Sequence, residues 1–179
     1  LSLSSLRWFL VNKLLKLEVS FKNILTFNFI GQFFNQILPS SIGGDAVKIL
    51  ALSKSGLSLS RSTSSIFCDR FIGLLVLILI IFFALMLVPE NWNLNVTDIK
   101  TFIYFFIAFI FMFIFILKFC IKYIKKISIQ NKLLKLFFGI ANDLFSFFSS
   151  FKQTAIIILL SLIIQLITIY VFYIIFHSI

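Results

Sequence analysis

Apolar residues run along this chain in long blocks free of charge. Neither Phe71–Pro89 nor Thr101–Leu117 contains a charged side chain. Gln153–Ile179 is longer still, interrupted only by polar groups such as Ser161, Gln165 and His177. The hydrocarbon core of a bilayer takes roughly 20 apolar residues as a helix, so each block predicts a membrane-crossing helix. Residues 1–12 predict the tail of a further helix, with Arg7 near its end or snorkelling to the interface.

Two stretches follow a different pattern. In residues 128–151, Ile129, Leu133, Leu136, Ile140, Leu144, Phe147 and Phe151 recur every three or four positions, with Lys132, Lys135, Asn142, Asp143, Ser146 and Ser150 on another face. That periodicity predicts an amphipathic helix lying at the membrane interface. Asn23–Gly44 also lacks charge, yet it contains Asn28, Gln32, Asn35 and Gln36. Steps of four place Asn28, Gln32 and Gln36 on one helix face. Amides in hydrocarbon need partners, so that face points into the bundle or into a cavity. Both readings stay open for Asn28 and Gln32: hydrogen-bonding glue between helices, or the lining of a site.

Composition agrees with lipid as the solvent. The 179 residues are 61% hydrophobic and 12% charged, with a mean hydropathy of +1.13. A soluble domain carries roughly 25% charged residues. The fold class expected is all-α: a polytopic transmembrane helix bundle with a re-entrant or broken helix and an interfacial amphipathic helix. One transmembrane domain over 1–179 is expected. Because the chain starts at Leu1 inside an apolar run and stops at Ile179, it reads as a piece of a longer protein.

The net charge of +10 sits between the apolar blocks, which points to anionic lipid and the cytoplasmic face and away from nucleic acid. Residues 118–152 are rich in lysine, whereas 90–100 hold Glu90 and Asp98 against Lys100. The positive-inside rule therefore puts loops 46–70 and 118–152 in the cytoplasm and 90–100 outside, in a multi-pass protein of the cell membrane. Lys13, Lys16 and Lys22 also prefer the cytoplasm. The uncharged stretch Asn23–Gly44 thus has basic residues on both sides, which favours a re-entrant or broken helix over a simple span. Cys68 and Cys120 lie beside basic residues at expected helix ends and suggest neither a disulfide nor a metal cluster. His177 is expected to be structural, and no metal or other cofactor is indicated.

The chemistry concentrates in Asn35–Lys48. Pro39 removes a backbone donor and disfavours helix at Leu38. Gly43 and Gly44 permit close approach, and Asp45 suits the N-cap of a following helix. A helix starting there would aim free N–H groups and a positive dipole end at the break, where an anion such as phosphate is favoured. An ordinary capped turn is the plainer reading. Further on, Asp69 and Arg70 open the first long apolar block; adjacent residues on a helix do not face each other, so each seeks a partner elsewhere. Asp45 with Arg70 and Lys48 with Asp69 are the expected cross-pairs. The plainer readings are an N-cap for Asp69 and a positive-inside anchor for Arg70.

The run Asn35-Gln36-Ile37-Leu38-Pro39-Ser40-Ser41-Ile42-Gly43-Gly44-Asp45-Ala46-Val47-Lys48 resembles the first signature of the flippase-like family, the lysylphosphatidylglycerol synthase transmembrane-region proteins. Asp69-Arg70-Phe71-Ile72-Gly73 is similar to a second family element, and Ser161, Gln165, Tyr170 and Tyr173 to a later pattern. Lys48 stands where the family usually has arginine, a point charge in place of a planar fork. The family's downstream Gly-rich stretch ending in Glu does not occur before Ile179, so the domain is expected to be partial. The resemblance implies movement of a lipid or lipid-linked headgroup between leaflets. The implied ligands are membrane lipids, either an anionic phospholipid or a polyprenyl-phosphate-linked substrate. The candidate substrate-binding residues are Asn35, Gln36, Pro39, Ser40, Gly43, Gly44, Asp45, Lys48, Asp69 and Arg70, with Asn35, Gln36 and Gly43–Asp45 lining a polar cavity. An enzymatic role ranks lower, because no paired carboxylates or nucleophile–base pair appear. Two further readings are an accessory membrane domain or subunit of a lipid-modifying or glycosyl-transferring enzyme, and a regulatory partner of an envelope-synthesis enzyme.

Overall fold

The computed structural model describes residues 1–38, 41–87, 136, 138–144 and 150–178, together with Thr101 and scattered positions from 104 to 112. Among the described residues the fold is all-helical. Its long elements are α1 (Ser2–Leu14), α2 (Phe21–Ile37), α3 (Ser41–Lys54), α4 (Leu59–Met86) and α5 (Phe151–His177). The helices α4 and α5 hold stretches of 26 and 27 residues, Leu59–Ala84 and Phe151–His177, that are long and apolar enough to cross a membrane. Most of the apolar surface of α5 is uncovered by protein, from Ile156 to Phe176, as a lipid-facing helix requires.

Local chemistry explains where these helices begin. The Ser20 hydroxyl accepts from the Asn23 N–H and the Ser58 hydroxyl accepts from the Arg61 N–H, so serine caps start both α2 and α4. The second cap changes the expected picture. Residues 46–70 are not a loop: α3 continues to Lys54, a short turn follows, and α4 starts at Leu59, several turns ahead of the uncharged block at Phe71. Charge counting located the block but not the helix, because Arg61, Asp69 and Arg70 find partners on neighbouring segments and are carried within it. Cys68 consequently lies inside α4 and is fully buried, not at a helix end. The last helix starts at Phe151, just ahead of Gln153, with Ser150 at its N-cap.

The helices α2 and α3 form a hairpin. Leu38 at the C-cap of α2 is extended (φ −84°, ψ 141°), as the position before a proline favours. On the way back α3 lies against α2: Gly44 meets Gly31 and Asn35, and Lys48 crosses Gly31. A Cβ on Gly44 would run into the Gly31 carbonyl and the Asn35 side chain, so hydrogen at this position lets the two backbones touch. With 17 and 14 residues, α2 and α3 are about 26 and 21 Å long, each short of the ~30 Å hydrocarbon core. A helix pair of this length that turns back on itself has the geometry of a broken, returning segment.

Two small cores hold the hairpin to the rest. Val11, Leu14, Leu15, Leu17, Cys68, Ile72, Val76 and Ile157 tie α1, α4 and α5 together. Trp8, Ile24, Leu52 and Ile66 join α1 through α4. At one end of the bundle the Arg61 guanidinium donates to the Leu15 carbonyl at the end of α1 and to Asp143 at 2.8 Å. Asp143, expected on a polar outer face of the 128–151 helix, is instead buried at 8% exposure, because it is turned toward Arg61. The rest of that expected helix lies largely outside the described residues, as do most of Thr101–Leu117 and the loops 90–100 and 118–135.

Two measurements test this fold. Gly44→Ala is expected to force α2 and α3 apart at the cost of about 1–3 kcal/mol, the usual range for overpacking. A lowered melting midpoint in detergent is the readout, and an unchanged midpoint would mean that the helices do not touch there. Lys13 and Lys54 sit at the same end of the bundle, because α1 ends where α4 begins and α3 ends just before it. Single cysteines at these positions are expected to react with an impermeant thiol reagent from the same side of the membrane. Labelling from opposite sides would rule out the returning hairpin.

Candidate functional site

Several polar residues of these apolar helices line a partly open cavity of about 50 Å³ between α1, α2, α3 and α4. Each helix brings side chains at helical spacing: Ser4, Arg7 and Trp8 from α1, Asn28 and Gln32 from α2, Asp45 and Lys48 from α3, and Ile66, Asp69 and Arg70 from α4. Among the described lining residues three cations face two carboxylates, a formal surplus of one positive charge.

Two arginine–carboxylate forks organise it. The Arg7 Nε and Nη2 donate to Asp69 Oδ1 and Oδ2, each at 2.8 Å. Both side chains are well covered, at 9% and 15% exposure, and the remaining Arg7 Nη1 reaches Ser161 Oγ of α5 at 3.4 Å. The Arg70 Nε and Nη2 donate to Asp45 Oδ2 and Oδ1 at 2.9 and 2.6 Å, with the Arg70 side chain 51% exposed. In this planar geometry a carboxylate spends both oxygens on one guanidinium. Adjacent in sequence, Asp69 and Arg70 thus point to different helices, as helical geometry demands.

Lys48 is placed differently. It is buried at 7% exposure, and its ammonium lies 3.8 Å from Asp45 Oδ1, beyond hydrogen-bond length, and 5.5 Å over the ring of Trp8. Among the described residues no side chain accepts a hydrogen bond from it. An ammonium carries three donors, and this one lines the cavity, where an arriving acceptor could meet them.

Of the two expected cross-pairs, Asp45 with Arg70 forms and Lys48 with Asp69 does not. Arg7 takes Asp69 instead, because its fork matches both carboxylate oxygens where an ammonium could match one. Arg7 is therefore neither at a helix end nor snorkelling. Nor is Asp69 an N-cap: α4 begins at Leu59 and has already run through several turns when it reaches that position. Asp45 likewise is not the N-cap of α3, which begins at Ser41; it sits one turn in, facing Arg70. The Gly44 N–H in the first turn of α3 is taken by Asn35 Oδ1 at 2.9 Å, so this donor serves the hairpin and not a ligand.

The other candidates divide. Asn28 is held by its amide, which donates to Ser4 Oγ at 3.0 Å and Ser5 Oγ at 2.8 Å; Gln32 lines the cavity. Asn35, Gln36 and Gly43 do not line it, and Gln36 is exposed on the outer side of α2. Gly44 is buried in the hairpin contact. Pro39 and Ser40 lie outside the described residues. Gln165 is half-buried, Tyr170 and Tyr173 are exposed on α5, and His177 packs on Tyr173 with ring centroids 4.6 Å apart.

The sequence reading missed Arg7 and Trp8 as cavity residues. Both sit on a helix read only as a tail, although an arginine inside an apolar run was a usable signal. Also unanticipated was the serine row of α4. The Trp8 indole N–H donates to Ser65 Oγ at 2.9 Å, Ser65 donates to Asn12 Oδ1 at 2.7 Å, and the Asn12 amide donates back to the Trp8 carbonyl at 2.8 Å.

The two forks should differ in what their loss does. Arg7→Ala leaves Asp69 buried and unpaired and is expected to cost about 3–5 kcal/mol. The double change Arg7→Leu with Asp69→Leu should recover most of that, since no lone charge remains. Thermal unfolding in detergent reads both; a double variant no more stable than Arg7→Ala would show that the pair is not the structural unit.

No curated protein and no solved structure matches the chain. The motifs shared by the hairpin and α4, the all-helical apolar architecture and a family-model match over residues 1–179, the whole chain, agree: this protein belongs to the lysylphosphatidylglycerol synthase transmembrane-region family.

Proposed function

We propose that this membrane protein moves a lipid across the bilayer by accepting the phosphate of its headgroup in the α1–α4 cavity while the tails stay in the surrounding hydrocarbon. The observation that carries the reading is the Lys48 ammonium, on a largely buried side chain lining the cavity, with an ion pair to Asp45 at 3.8 Å but no hydrogen bond to it among the described residues. A phosphate oxygen satisfies such a donor, and the surplus positive charge of the cavity favours an anion over a cation. Arg70, half-exposed and forked to Asp45, supplies a second cation at the cavity mouth; a phosphate arriving there competes with a carboxylate for the same planar donors.

The returning hairpin supports this role mechanically. The two helices α2 and α3 fold back on each other, each shorter than α4, and Asp45 pairs with Arg70 near the middle of the 28-residue α4. A charged cavity at that depth shortens the path a headgroup must travel through hydrocarbon, where a charge costs at least about 2.5–3.5 kcal/mol at the centre. The basic ends of α1 and α3, at Lys13 and Lys54, face the cytoplasm in this reading, and the membrane is the cell membrane. The chain's part is translocation without bond-making. Its ligand is a lipid phosphate, carried by an anionic phospholipid or by a polyprenyl phosphate.

Flipping of a fluorescent phosphatidylglycerol in proteoliposomes tests the proposal. Lys48→Met should lower the rate about tenfold or more, the loss expected for a charge-assisted hydrogen bond. Arg70→Ala should lower it too, with a smaller loss of thermal stability than Arg7→Ala because the Arg70 pair is the more exposed. Wild-type and Lys48→Met proteins that flip equally would reject the headgroup site. They would favour an accessory role beside a lipid-modifying enzyme.

A further inference from the structure

Lys48 carries its charge as a point on a flexible stem, not directed by a planar group as in arginine. Two features of the structure remove that freedom. The first is Gly31. The Lys48 stem lies in the notch where Gly31 has no side chain: a Cβ there would meet Lys48 Cε, would press on Lys48 Cγ at 2.7 Å, and would stand 3.0 Å from the Gly44 carbonyl. The second is Trp8. Its ring lies beneath the ammonium at 5.5 Å, and the face of an indole attracts a cation.

Trp8 is itself immobilised. It is 3% exposed, and its indole N–H is tied through Ser65 and Asn12 back to its own carbonyl. Such a closed ring of bonds fixes the ring plane. Asp45 attracts the ammonium by charge, as an ion pair at 3.8 Å, but accepts no hydrogen bond from it, and both of its oxygens already accept from Arg70. The ammonium is also aligned by an aromatic face that takes no hydrogen bond from it. Its charge is held in place while its donors stay open to a ligand.

We infer that Trp8 and Gly31 are positioning residues for Lys48, the indole face setting where the ammonium stands and the glycine notch setting the path of its stem. The inference rests on the headgroup reading for its purpose. The geometric part is separable and can be measured without lipid.

Trp8 and Trp92 are the two tryptophans of the chain, so a Trp92→Phe protein reports Trp8 alone. In detergent without added lipid, Lys48→Met in this background is expected to shift the Trp8 emission, because a charge is removed from over the ring. Unchanged emission would overturn the inference. Binding to phosphatidylglycerol in phosphatidylcholine nanodiscs gives the second arm. Trp8→Leu should weaken it about tenfold, between the values for an exposed and a fully desolvated cation–π contact. Trp8→Phe, which keeps a ring face but loses the bond to Ser65, should recover part of that loss. In a Lys48→Met background, Trp8→Leu should add nothing; a full additional loss would mean that Trp8 acts on stability and not through Lys48, and would also overturn the inference. An emission shift on Lys48→Met with phosphatidylglycerol binding untouched would support the positioning of Lys48 and count against the headgroup reading alone.

Discussion

A charge carried into an apolar bundle must be matched there, and the fork between Arg7 and Asp69 is the match on which the rest of this structure depends. It joins α1 to α4 with two bonds of 2.8 Å and reaches α5 through Ser161. By fastening three helices at one level, it creates the wall against which the α2–α3 hairpin is laid. Asp69 and Arg70, adjacent on α4, face different helices, so Arg70 meets Asp45 on the hairpin while Asp69 meets Arg7. Asp45, forked to Arg70, also forms an ion pair with Lys48 at 3.8 Å, beyond hydrogen-bond length.

The consequence is a division of labour among five charged side chains. One pair is covered and holds helices. A second is half-exposed and joins the hairpin to α4. The fifth group, the Lys48 ammonium, is largely buried and has an ion pair with Asp45 but no hydrogen bond among the described residues. Replacing buried ion pairs by hydrocarbon is often neutral or stabilising, so retaining this many charges in a membrane bundle is weak evidence for stability. It is better evidence for a cavity that receives charge, which is the role proposed for it. The hairpin's glycines matter for the same reason: Gly44 brings α3 against α2, and Gly31 lets Lys48 pass between them.

The broad architecture was legible in the sequence because its causes are local or compositional. Blocks such as Gln153–Ile179 announce a membrane helix by length and hydropathy, and α5 begins at Phe151, close to that expectation. Leu38-Pro39 and Gly43-Gly44 announce a break and a close approach, and the chain turns there. Local reasoning failed where a charge was read as an edge. Taking Asp69 and Arg70 as the start of a span sets the beginning of α4 several turns too late and makes a loop of 46–70. Those charges are compatible with mid-helix positions only because partners exist on other helices, which no window of sequence contains. Asp143 was misplaced for the same reason: its helical position looks polar and outward until Arg61, 82 residues away, turns it inward.

The sequence alone pointed to a helical membrane bundle with a break at Leu38–Gly44, and it nominated Gly44-Asp45 and Asp69-Arg70 as candidate site residues. Hydropathy, proline and glycine act within a few residues of themselves, so these conclusions needed no coordinates. Only the tertiary structure decided which charge meets which. Arg7 and Asp69 are 62 residues apart and Asp45 and Arg70 are 25 apart, and among several oppositely charged candidates the choice turns on ångström-scale alignment of guanidinium forks with carboxylate oxygens. That alignment, with Trp8 under Lys48, is a product of how four helices pack.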